Sequence, residues 1–230
     1  MSEVSKVFHI QDSEEKQNYL HLFESVDPEV LNAVSEIIIM AKEHLGSLHP
    51  SLFIVLSGHL DFAVKRFREG HNLDNRLLWE ISQLYPQEFA VAMEAKRLLN
   101  QRFNIFIDDN EVGFLALHLN AGRLHQTVKE ALRRTNLIQS LLLLVKEKSP
   151  KEHWDYVKVQ HIDYFKDLFY RLDGGIVLRN PLLPYLHQLK EEEHLARILA
   201  EKIRMETNFN LSEAEIGYLA IHLNQFRNMA

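Results

Sequence analysis

Cysteine is absent from the 230-residue chain, which removes disulfides and thiolate metal sites together. Long hydrophobic runs are missing as well. A membrane-spanning helix needs roughly 18–20 apolar residues in succession, and the densest stretch, "LIQSLLLLV" at 137–145, is far shorter. The opening "MSEVSKVFHIQDSEEK" lacks the basic and apolar regions of a secretory signal, so no membrane insertion and a cytoplasmic location are expected. Basic blocks are scarce. The net charge is −6 and only "ALRRT" at 131–135 is locally basic, which disfavours direct nucleic-acid binding by this chain. There is no G-x-S-x-G and no glycine-rich phosphate loop, so hydrolase and nucleotide chemistry have no recognisable seat.

What remains is an ordinary globular composition, 46% hydrophobic and 25% charged, with one oddity: thirteen histidines. The other conspicuous feature is repetition. "EVGFLALHLNAGR" at 111–123 returns as "EIGYLAIHLNQFR" at 215–227, and 108–123 agrees with 212–227 at eight of sixteen positions. "NRLLWEISQL" at 75–84 answers "NPLLPYLHQL" at 180–189, and "HLDFAVKRF" at 59–67 answers "HIDYFKDLF" at 161–169. The offsets are 104, 105 and 102 residues, so the natural reading is two homologous domains of about a hundred residues, 21–128 and 129–230. Residues 1–20 match neither repeat and are expected to form an arm or linker remnant.

Each repeat reads as helical, because apolar residues recur with a helical period and few segments alternate with period two. Asp27-Pro28 is an N-cap and first-turn pair, and Gly46 closes the helix that follows. Further helices are expected over about 51–68, within "LDNRLLWEISQLY", from Pro86, and from Asp108. The second repeat should place them at 131–148, 151–171, about 180–189, 190–207 and 213–227. Asp108-x-x-Glu111 and Ser212-x-x-Glu215 fit a capping box, in which the glutamate would reach back to the cap. The fold class expected is all-α, two homologous five-helix bundles in tandem.

Four histidines occupy repeat-equivalent places, His59 with His161 and His118 with His222, separated by 59 and 61 residues. For one such residue in a leucine-rich helix, a satisfied core histidine is the common outcome. A metal site would need further ligands, and no H-x-x-E-H, H-E-x-x-H or E-x-x-H pattern accompanies either pair. Phosphoryl transfer to histidine is the third option. It would add about two negative charges for a nearby arginine to meet. Arg66 stands seven residues after His59, and Arg123 and Arg227 five residues after His118 and His222. The apolar runs "EIIIMA" and "LIQSLLLLV" are either core or surface for a partner.

The motifs "SGHLDFAVKRFREG", "EVGFLALHLNAGR" and "EIGYLAIHLNQFR" resemble those of PTS regulation domains, from about residue 20 to 228. Such domains occur in tandem in the antiterminators of β-glucoside and sucrose operons, and in some DNA-binding activators. The resemblance implies a regulatory protein rather than an enzyme, with no cofactor. It implies phosphorylation at His59, His118, His161 and His222, with Arg66, Arg123 and Arg227 supporting the phosphate. The donors would be the phosphocarrier HPr and the sugar-specific enzyme II B component. A homodimer would repack on phosphorylation and control an N-terminal domain that binds leader RNA, a domain missing here. The sequence departs from the family pattern at two more places. Gly58 stands where an aspartate usually precedes the first histidine and would orient its ring. Leu168 stands where the second domain would carry its arginine, with Arg171 one turn further on.

Overall fold

The structure, a computed structural model, describes residues 25–148 and 154–226. The expected arm at 1–20 and Arg227 lie outside them. Every regular element among the described residues is helical. The chain divides into two compact units. One comprises 25–78 with 85–131, the other 79–84 with the described residues from 132 onward.

Local signals explain the helix ends of the first repeat. Helix α1 (Pro28–Leu45) starts where the Asp27 carboxylate accepts the Glu29 amide at 2.9 Å, and it stops at Gly46, whose φ of 82° suits glycine. Helix α2 covers Leu52–Arg68, and α3 is confined to Leu78–Leu84. The apolar periodicity began earlier, but buried Asn75 takes the Leu77 amide with its side-chain oxygen at 3.1 Å and so diverts the first turn. Helix α4 (Pro86–Phe103) ends on Asn104 in the left-handed region, φ 50°. Helix α5 is Asp109–Arg123. Helix α1 packs on α2 and α4, and α5 packs on α2 and α4. Ile37, Leu56, Leu60, Leu99, Ile107, Leu115 and Leu119 are fully enclosed.

The second unit repeats the order with one difference. Helices α6 (Val128–Lys148) and α7 (Trp154–Asp173) are followed by a 3-10 segment, Leu183–Gln188, where a helix was expected. Pro181 and Pro184 remove amide donors there, and Asn180 takes the Leu182 amide at 2.9 Å as Asn75 does in the first repeat. Helices α8 (Lys190–Glu206) and α9 (Glu213–Gln225) complete the unit, and the 3-10 segment packs on both. Within the same unit, Lys158 of α7 reaches buried Glu80 at 3.0 Å and lies 3.5 Å over the Trp79 ring, which holds 79–84 in this grouping. The apolar runs are mostly core: Ile37, Leu137, Ile138, Leu141, Leu142 and Val145 are buried, while Ile39 and Leu143 face outward.

The two buried asparagines also clamp the last helix of each repeat. Asn75 Nδ2 donates to the Asn110 carbonyl at 3.2 Å, and Asn180 Nδ2 to the Ala214 carbonyl at 3.3 Å. Both carbonyls immediately precede a glutamate, Glu111 or Glu215. Gly113 is where this clamp leaves no room, because a Cβ there would strike Asn75 Nδ2 and stand 3.1 Å from Leu78 Cδ1. Gly113→Ala should therefore overpack the clamp and cost about 1–3 kcal/mol of stability, despite the better helix propensity of alanine. Chemical denaturation would read this, and an unchanged midpoint would show that the asparagine can step aside.

Candidate functional site

In the first unit, α2 carries His59 and Arg66 and α5 carries Glu111 and His118. The packing of these two helices converges the four side chains. His59 Nε2–H donates to Glu111 Oε1 at 2.6 Å, and an Arg66 terminal amino group donates to the other carboxylate oxygen. The His59 and His118 rings lie 4.4 Å apart between centroids, tilted by 38°. The two histidines chosen by the repeat are thus brought together.

Glu111 does not act as half of a capping box. Its amide is capped by Asp108 at 3.1 Å, as expected, but its carboxylate turns inward to His59 and Arg66. The physical reason is burial: Glu111 is 1% exposed and Arg66 6%, and an enclosed carboxylate takes a charged partner before a backbone amide. Burial pushes the Glu111 carboxyl up, but the hydrogen bonds and charges of His59 and Arg66 together hold it below the usual range. A reciprocal capping box does occur at α6, where the Thr127 amide bonds Glu130 at 2.7 Å and the Glu130 amide bonds Thr127 Oγ1 at 3.2 Å.

Arg66 is held only in part. Its Nε and one terminal nitrogen are buried without a hydrogen-bond partner among the described residues, and the guanidinium lies 5.4 and 5.0 Å from the Phe62 and Phe67 rings. His118 is 8% exposed, and its Nδ1 is likewise buried without a partner among the described residues. Burial, helped by the charge of His59, pushes its pKa down to about 3, so the ring stays neutral at physiological pH. A cavity of about 360 Å³ opens beside His118 between the start of α2 and the end of α5, with His49 and His125 on its wall. Arg123 does not join the group. It donates to Glu88 at 2.8 Å and Gln87 at 2.9 Å, both on α4.

The second unit uses the same parts differently. His161 Nδ1 and His222 Nε2 lie 2.9 Å apart, so one ring donates and the other accepts. Glu215, the repeat partner of Glu111, is capped through its amide by Ser212 at 3.3 Å, and its carboxylate again turns inward. It takes Arg171 with both oxygens, Nε and a terminal nitrogen each at 2.9 Å. The hydrogen bond to Glu215 raises the Arg171 pKa, so the guanidinium keeps its charge. Leu168 is wholly buried in the core, and the arginine sits ten residues after the histidine instead of seven. Tyr164 stacks on His222 at 4.2 Å; burial, and then the charge of Glu215, push its hydroxyl up and keep it a phenol. Phe226 packs edge-on against both histidines. Burial, with the charge of His222 added, holds His161 down to about 3, and burial alone holds His222 down to about 4.

Sequence reasoning singled out the four histidines with Arg66, Arg123 and Arg227, and noted Arg171 one turn beyond Leu168, but missed the inward roles of Glu111 and Glu215, and Tyr164. A signal existed for the glutamates, since Glu111 and Glu215 are identical across the repeat. No group of three or more histidine or carboxylate side chains among the described residues is arranged to hold a metal ion. No helix among them is long and apolar enough to cross a membrane.

The PRD domain family matches this chain twice, over residues 35–122 and 139–226. The beta-glucoside operon antiterminator of Dickeya chrysanthemi is 30% identical over 98% of this chain and 82% of its own length. Transcription antiterminator LicT of Bacillus subtilis (strain 168) is 28% identical over 96% of this chain and 83% of its own. Among solved structures, the crystal structure of GlcT CAT-PRDI aligns with 50% of this chain and 69% of its own at 28% identity and a TM-score of 0.48.

Three histidines held neutral by burial must each take up a proton when the chain unfolds in mild acid. Stability should therefore be full above about pH 6.5, their unfolded pKa, and fall as the pH drops toward 3–4. Each histidine contributes a slope of about 1.4 kcal/mol per pH unit in that window. Denaturation midpoints at pH 7, 6 and 5 would show it, and His118→Leu should flatten the slope by about one proton.

Proposed function

The chain belongs to the PRD domain family, and from that premise we propose that it is the regulatory part of a transcription antiterminator, switched by phosphoryl transfer to histidine. The observation that carries this reading is the convergence, in each unit, of two repeat-equivalent histidines with a buried carboxylate–guanidinium pair. A buried neutral imidazole keeps a lone pair at physiological pH, as a phosphoryl acceptor requires. The incoming phosphoryl group brings about two negative charges into a half-buried position, and these must meet cations or move the packing.

His59, His118, His161 and His222 are the acceptors in this reading. Arg66 supports the phosphate, and its buried, unpartnered donors have the capacity to do so. Arg171 takes the corresponding part in the second unit. Arg123 is engaged by α4 and would have to leave Glu88 to serve His118, while Arg227 keeps the role from its place five residues after His222. The donors are the phosphocarrier HPr and the sugar-specific enzyme II B component. The added charge biases a packing equilibrium between protomers of a homodimer by about 1–3 kcal/mol. A separate RNA-binding domain, acting in the cytoplasm, reads the outcome on leader RNA. The role is regulatory rather than catalytic.

Incubation with phosphoenolpyruvate, enzyme I and HPr, followed by mapping of acid-labile phosphate, tests this. At least one of the four histidines should be labelled; label on none would sink the switch. Arg66→Gln should shorten the lifetime of phosphate on His59 by about tenfold, the kinetic equivalent of one charge-assisted hydrogen bond.

A further inference from the structure

The residue before His59 offers no carboxylate, because Gly58 stands there. The structure supplies one from another helix. Glu111, on α5, accepts His59 Nε2–H at 2.6 Å while its second oxygen holds Arg66. The backbone that carries this carboxylate is pinned on both sides: Asp108 Oδ1 takes the Glu111 amide at 3.1 Å, and Asn75 Nδ2 holds the preceding carbonyl at 3.2 Å. A carboxylate so fixed, and ionised beside a buried arginine, accepts a proton bond and cannot donate one. Whenever the His59 ring is neutral, its proton therefore sits on Nε2 and its lone pair on Nδ1, which carries no hydrogen bond among the described residues.

We propose that Glu111 is a positioning residue for phosphoryl transfer to His59, holding the ring as the Nε2–H tautomer so that Nδ1 is the nitrogen that receives the phosphoryl group. The proposal rests on the phosphorylation reading above and names the atom within it. In the step, the Nδ1 lone pair attacks phosphorus, the Nδ1–P bond forms, and the bond from phosphorus to the donor atom that carried it breaks. That donor atom leaves with the electron pair of the broken bond. The His59 ring keeps its Nε2 proton and becomes cationic, and the Glu111 carboxylate faces that developing charge. Gly58 has no carboxylate to do this from the preceding turn, so the orienting group is contributed through the fold instead. The second unit lacks the device: Glu215 is held by Arg171 with both oxygens, and His161 Nδ1 is engaged by His222.

The test uses the full chain with histidine labelled in both ring nitrogens, and phosphoramidate as a small phosphoryl donor whose departing group is ammonia. Long-range nitrogen–proton spectra of the unsubstituted, unphosphorylated chain should show His59 as the Nε2–H tautomer, a measurement that needs no variant to fold. After treatment, the one-bond phosphorus–nitrogen coupling at His59 should appear on Nδ1. Glu111→Ala should slow labelling of His59 by about tenfold or more, Glu111→Asp should recover part of it, and labelling of His161 and His222 should be unaltered in both. An Nδ1–H tautomer, phosphorus on Nε2, or Glu111→Ala labelled at the unsubstituted rate would each overturn the proposal. Absence of label from all four histidines would instead overturn the phosphorylation reading, and the tautomer spectrum would still report the Glu111 contact by itself.

Discussion

A carboxylate enclosed near the start of a helix must find a cation, and in both units that requirement organises the site. Glu111 and Glu215 are 1% and 4% exposed, and each is joined to an arginine from the neighbouring helix. Removing one member of such a pair leaves a buried charge uncompensated, at a cost of about 3–5 kcal/mol, so the pair constrains the register of one helix against another. The histidines then fall where that register puts them. In the first unit the pairing leaves a carboxylate oxygen for His59; in the second Arg171 occupies both oxygens, and the histidines bond each other.

The asymmetry has an identifiable origin. Arg66 lies seven residues after His59 and meets Glu111 through one nitrogen, whereas Arg171 lies ten residues after His161 and meets Glu215 through two. Placing the guanidinium one turn further along changes its angle of approach, and a bidentate contact engages both carboxylate oxygens. One repeated set of residue types therefore yields two electrostatic environments. Under the proposed function, two acceptor sites that answer differently to phosphorylation suit a protein that integrates more than one donor.

Neutrality of the buried rings links the site to folding. Desolvation holds His118, His161 and His222 uncharged, and the same desolvation makes a newly added phosphate hard to tolerate in place. Under the proposed function, a packing equilibrium would relieve that charge. The asparagine clamps serve this arrangement by fixing the backbone from which each glutamate side chain projects.

Much of this was legible in the residues. The tandem repeat, the all-α character, the caps at Asp27 and Gly46, the family resemblance and the choice of four histidines among thirteen all follow from spacing and self-comparison, which are properties of the linear chain. The helix expected at 180–189 is a 3-10 segment because Pro181 and Pro184 outweigh apolar periodicity, a conflict already present in the linear chain. The partners of the glutamates were decided by tertiary structure. A glutamate three residues after a cap looks like a capping partner in any sequence, and only packing against a helix bearing arginine, some 45 residues away, reveals which hydrogen bond burial prefers. Sequence spacing decides which side chains share a helix face; how two faces meet, and therefore which nitrogen of His59 keeps its proton, is decided by the packing of α2 on α5.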